Sequence, residues 1–138
     1  MEVPVYVTHH LIKGEDLNHH GTLFAGRSAE WFVESGFIAA ASLTHPENTL
    51  CVKIHGMQFS RPVQKGEILR FTSKIILAGR TSMVAYVEAD VRGERALTGF
   101  LTFVHVDSAG RPDPHHLEIV PVLPEDIALQ EEARALPR

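Results

Sequence analysis

Leu23-Phe24-Ala25-Gly26-Arg27-Ser28-Ala29-Glu30-Trp31-Phe32-Val33-Glu34-Ser35-Gly36-Phe37-Ile38-Ala39-Ala40-Ala41 is helical by its spacing. Leu23, Phe24, Arg27, Glu30, Trp31, Glu34, Phe37, Ile38 and Ala41 recur three and four apart, and the alanine run favours helix strongly. His45-Pro46 ends it, so the reading is a helix within Gly21 to Thr44. Phe32, Val33, Ala40 and Leu43 occupy its other faces, which predicts a helix covered by protein on most sides. Working outward, Val3 to Thr8 is rich in β-formers, with Pro4 confining it to an edge or a strand start. Four longer β-patterned runs follow: Thr49 to Phe59, Glu67 to Leu77, Thr81 to Val91 and Arg95 to Val106. Ala78-Gly79-Arg80 and Arg92-Gly93-Glu94 have turn chemistry. After Pro112 the chain is loop-like until Pro124-Glu125-Asp126 opens a short helix with acids in its first turn. Strand, long helix, then four consecutive antiparallel strands gives an α+β layer.

The chain has 138 residues, one domain's worth, read as a single domain over 1–138 with a tail at 113–138. Hydrophobic residues make up 44% and charged residues 22%, a globular balance that argues against disorder. Cys51 is the one cysteine, so internal disulfides and cysteine zinc sites are out. On its strand it reads as a buried core residue rather than a nucleophile. Apolar runs are far shorter than the ~20 residues of a membrane helix, and nothing has the form of a secretory leader. The expectation is a cytoplasmic protein with no membrane partner. Net charge is −4, against nucleic-acid binding. Residues 51–95, however, hold eight Lys/Arg against four acids. A basic middle in an acidic chain suits a small polyanion.

Asn18-His19-His20-Gly21-Thr22-Leu23-Phe24-Ala25-Gly26 resembles the Asn-x-x-Gly-x-(Leu/Val/Ile)-(His/Phe)-Gly-Gly segment of hotdog-fold acyl-CoA thioesterases. Arg61-Pro62-Val63-Gln64-Lys65-Gly66-Glu67, Gly79-Arg80-Thr81-Ser82 and Val120-Pro121-Val122-Leu123-Pro124-Glu125 match further segments of that family in order. The resemblance implies a hotdog fold, an antiparallel sheet wrapped around one long central helix. It implies hydrolysis of acyl-CoA to free acid and coenzyme A, with no cofactor, coenzyme A being part of the substrate. It also implies a homo-oligomer, a dimer at least and a tetramer or hexamer (a trimer of dimers) beyond that. The alternative reading is a non-catalytic acyl-CoA-binding or scaffold protein of the same fold. A hotdog dehydratase is disfavoured, because the helix start lacks a His-Phe-Pro type segment.

Carried over residue by residue, the catalytic candidates are Asn18, Gly26 and Glu34. A gapless alignment puts Val33 where the family has its helix acid, and the role passes to Glu34, with Glu30 the rival one turn earlier. Glu34 sits among Phe32, Val33, Phe37 and Ile38, a setting expensive for a carboxylate and suited to a general base. Gly26 would offer first-turn amides that have no intrahelical acceptor. Ala25 and His20 are expected at the pocket. Arg61, Lys65, Lys74 and Arg80 are candidates for the coenzyme A phosphates, and Thr81 and Ser82 for the pantetheine arm. His9-His10, His19-His20 and His115-His116 invite a metal reading. Neighbours on a strand point to opposite faces, and no His-x-x-x-His spacing occurs, so no metal is expected. Glu34 lies eight residues beyond Gly26, about 12 Å along the helix axis. Reacting groups must approach within about 3–3.5 Å. If both act on one thioester, they come from two chains.

Overall fold

The computed structural model describes residues 2–137. Its elements are β1 (Tyr6–Leu11), α1 (Ala25–Leu43), β2 (Thr49–Phe59), β3 (Ile68–Ala78), β4 (Ser82–Val91), β5 (Glu94–His105) and α2 (Pro124–Arg134). All five strands form one antiparallel sheet in the order β1-β3-β4-β5-β2. The expected α+β architecture is therefore present, with one change of topology. Only β3, β4 and β5 are a meander; β2 does not pair with β3 but crosses to the far edge beside β5. The alternating pattern of β2 marks it as a strand without saying which strand it pairs with.

The boundaries follow local chemistry. The first strand begins at Tyr6 rather than Val3, and its ladder runs from Tyr6 opposite Ser73 to Leu11 opposite Ile68. The helix begins at Ala25, because Leu23 is extended and donates its N–H to Val63 O at 2.8 Å. Between β4 and β5 the chain reverses through Arg92 (φ 52°) and Gly93 (φ 84°), two positive-φ residues whose twist suits a tight hairpin.

On the inner face, α1 packs over β3 and β4. Phe32, Phe71, Ile75, Leu97, Leu101 and Phe103 are fully buried there, each such side chain contributing roughly 1.5–3 kcal/mol. Gly99 permits the closest approach: a Cβ there would sit 2.4 Å from Gly56 O and 2.6 Å from the Phe32 ring. The outer face carries a second cluster, Ile76, Val84, Tyr86 and Phe100, under Ala133 of α2. A Lys74 Nζ–Asp126 Oδ1 ion pair at 2.5 Å fastens α2 to the sheet.

The expectation that α1 is covered on most sides fails within one chain. Its buried residues, Ser28, Phe32, Ser35, Gly36, Ala39 and Ala40, form a single face. Glu30 and Glu34 are exposed, and Val33, Phe37 and Ile38 are only half-buried. Cys51 is likewise exposed rather than core, because β2 is an edge strand whose pairing slips between Cys51 and Lys53. No helix among the described residues is long and apolar enough to cross a membrane.

Candidate active site

The first turn of α1 is left open by its own sequence. Phe24 occupies the N-cap position and brings no side-chain oxygen, and the turn contains no acid. The Arg27 and Ser28 N–H groups both reach Phe24 O, at 3.0 and 3.1 Å. The Ala25 and Gly26 N–H groups have no acceptor among the described residues, and both residues are exposed. The helix dipole places about half a positive charge at this point. An added Cβ on Gly26 would lie 2.5 Å from the Phe24 ring, so glycine keeps the amides approachable.

Asn18 organises the loop that leads into this turn. Its Oδ1 accepts the N–H groups of His20 at 2.9 Å and Thr22 at 3.2 Å, and its Nδ2 donates to Thr22 Oγ1 at 3.2 Å. The loop is tied sideways to 62–64 by the Leu23–Val63 bond and a Thr22–Gln64 bridge. Between them opens a cavity of about 380 Å³ lined by Asn18, Ala25, Ser28, Phe59, Arg61 and Leu97. One N–H of the Asn18 amide is left over after these bonds.

The residues expected to bind the substrate are spread over more than one part of the surface. Arg61 lines the cavity but is not a free cation. It grips Glu67 through Nη2 at 2.7 and 2.9 Å, reaches Glu94 at 3.3 Å and donates through Nε to Pro62 O. The Gln64 N–H, followed by the Arg61 guanidinium, holds the Glu67 carboxyl below its ordinary value. The carbonyls of Thr81 and Ser82, the residues expected along a pantetheine arm, bond the His105 N–H at 2.7 Å and His115 Nε2 at 2.9 Å. Arg80 has a side chain with no partner among the described residues. It lies in a separate cavity of about 780 Å³, with Lys53, His55, Ser82 and Arg134. Lys65 is exposed, and His20 is exposed with its ring against His19 at 3.9 Å.

Glu34 lies toward the β1 side of α1, where its charge acts on His10. His10 stacks on Trp31 at 4.1 Å and 12°, and burial pushes its pKa below 6.5 while Glu34 and Asp16 pull the other way. The apolar enclosure foreseen for Glu34 is thus not supplied by its own chain. Glu30 is exposed and 3.5 Å from Arg27. Among the described residues, no three His, Cys, Asp or Glu side chains are grouped to hold a metal.

Sequence reasoning passed over Asp16, which lies in a polar stretch but is 4% exposed and ion-paired with Arg27 at 3.3 Å. The signal was its spacing from Lys13, whose N–H it accepts at 2.9 Å. Phe59 and Leu97 of the cavity wall were also missed, because strand pairing rather than sequence brings them there.

Residues 20–97 match the family model described as the thioesterase superfamily. The uncharacterized acyl-CoA thioester hydrolase YkhA of Bacillus subtilis is 33% identical over 124 residues, covering 86% of this chain and 71% of that protein. The acyl-CoA thioester hydrolase YciA of Escherichia coli K12 is 28% identical over 106 residues, covering 70% and 80%. Among solved structures, an apo-hexameric acyl-CoA thioesterase superposes with a TM-score of 0.83 at 29% identity, covering 95% of this chain and 86% of that one.

Proposed function

This chain belongs to the thioesterase superfamily, and from that premise we propose that it hydrolyses acyl-CoA thioesters in a cleft completed by a second subunit. The observation that carries the proposal is the pair of unfilled amides at Ala25 and Gly26 beside the Asn18 cavity. A thioester carbonyl directed at these donors would be polarised, and its oxygen would gain negative charge as water adds to the carbon. Each such donor is worth roughly 2.7–4 kcal/mol in comparable sites. Asn18, through its remaining N–H, orients the water or holds the carboxylate. Glu34 of the facing subunit takes the water's proton. The carbon–sulfur bond then breaks and the departing thiolate is protonated, giving acid and coenzyme A.

Two chains are required because Gly26 and Glu34 of one helix are about 12 Å apart along its axis. Support for self-association comes from β2, an edge strand that leaves Leu50, Val52, Ile54 and Phe59 about half exposed. Dimer is the minimum; the relatives named hexameric make a trimer of dimers the first larger assembly to test. Arg80 and Lys65, whose side chains have no partner among the described residues, remain the candidates for the coenzyme A phosphates, with His20 at the pocket mouth.

The test is thiol release from a panel of acyl-CoAs by the wild type and by Glu34→Gln. Release by the wild type and at least a hundredfold loss in the variant are expected. Equal release by both removes Glu34 from the mechanism. Coenzyme A binding without release by the wild type supports the binding-protein alternative, to which Val33 at the family's acid position lends weight.

A further inference from the structure

Asp16 is a buried carboxylate with no task in the reaction above, and it joins Lys13 to the start of α1. Its Oδ2 accepts the Lys13 N–H at 2.9 Å, its Oδ1 lies 3.3 Å from Arg27 Nε, and its main-chain oxygen accepts the Phe24 N–H at 2.8 Å. Arg27 is the third residue of α1, directly after Gly26. A carboxylate beside a helix start is ordinarily drawn onto the free first-turn amides, both as a cap and by the dipole. Here it is held away from them by Lys13 on one side and Arg27 on the other.

We infer that Asp16 and Arg27 act together as positioning residues that fix the Ala25–Gly26 amides and keep them free of an internal anion. This rests on the acyl-CoA reading of the same site. Arg27 restrains the Asp16 carboxylate and cancels its charge where the oxyanion must form. The main-chain bond from Phe24 sets the direction in which the amides point. Arg27 also reaches Glu30 at 3.5 Å, a contact on the exposed side that leaves its Nε on Asp16.

The pairing predicts an order of effects that loss of packing would not produce. Arg27→Gln leaves Asp16 charged and held only by the Lys13 N–H, so that its other oxygen can turn toward the α1 amides, and should lower kcat by roughly a hundredfold with KM within about twofold. Asp16→Asn keeps an acceptor for the Lys13 N–H but loosens Arg27, and should lower kcat by roughly tenfold. The double variant removes the competing anion and should recover kcat to about the Asp16→Asn level. Arg27 is partly exposed, so Arg27→Gln should fold even if Asp16→Asn does not.

The activity-independent reading is amide hydrogen exchange at Gly26, followed by NMR. It should slow in Arg27→Gln, where the carboxylate covers the amide, and not in the double variant. Unchanged kcat in Arg27→Gln, a double variant no better than Arg27→Gln, or unchanged Gly26 exchange would each overturn the inference. An inactive wild type that still shows the exchange pattern would overturn the acyl-CoA reading and leave the positioning role standing.

Discussion

Replacing Gly26 by alanine separates the chemistry of the helix start from its stability. Gly26 has no positive φ and lies in the first turn of α1, so alanine fits the backbone. Alanine in place of glycine stabilises a helix interior by about 0.8–1 kcal/mol, and less at its ends. Against this, the new Cβ meets the Phe24 ring at 2.5, 2.9 and 3.2 Å. Phe24 is 54% exposed, so the ring can swing into solvent at a cost of about 0.5–1.5 kcal/mol for a displaced rotamer. The two terms nearly cancel, and Tm should stay within about 3 °C. Activity should not survive in the same way. The methyl group and the displaced ring both enter the space in front of the open amides, and a misplacement of about 1 Å can cost roughly a hundredfold. The assay is thiol release from acyl-CoA, with thermal unfolding measured on the same preparation. A folded Gly26→Ala protein with undiminished kcat/KM would show that no thioester carbonyl approaches this amide.

Lys74→Met should destabilise by about 3–5 kcal/mol, because it strands the buried Asp126 carboxylate. The Lys74→Met/Asp126→Leu pair should recover most of that in chemical unfolding. Glu67→Gln should lose about 1.5–3 kcal/mol at pH 7, where in the wild type both carboxylate oxygens accept from Arg61 Nη2. Because the folded-state pKa of Glu67 is depressed below 4.5, its contribution is complete above that pH and is lost as the pH falls through the folded value. The stability gap between wild type and Glu67→Gln, followed by urea titration, should therefore begin to narrow only below pH 4.5 and vanish once the pH is under the folded value. Phe32→Ala should cost about 3–5 kcal/mol by opening a cavity between α1 and Gly99, read as a lowered urea midpoint.

The sequence carried the elements further than their arrangement. Residues 25–43 were legible because apolar positions repeat at helical spacing and His45-Pro46 ends the run. The bounds of β2 were legible between Asn48 and Arg61-Pro62. Its place beside β5 was not, since an alternating strand fits either neighbour and the choice depends on packing across the sheet. Within the site, open amides were legible at Gly26 because the first turn of any helix lacks intrahelical acceptors, whereas Phe24 as the N-cap came only with the structure. The partners of Arg61 did not, because Glu94 lies 33 residues away and arrives only when β4 and β5 turn back. Glu34 marks a different limit. Its apolar neighbours in sequence suggested burial, but a helix with one buried face leaves the opposite face to whatever the chain assembles with.

The claim that two subunits build each site is tested most directly by complementation. Asn18→Ala and Glu34→Gln proteins, each inactive alone, are co-expressed and purified as mixed assemblies. If the amides and Asn18 come from one chain and Glu34 from the other, half of randomly paired dimers are hybrids with one intact site of two. Thiol release should then return to about a quarter of the wild-type rate. Mixed assemblies that stay as inactive as their parents would contradict the shared site.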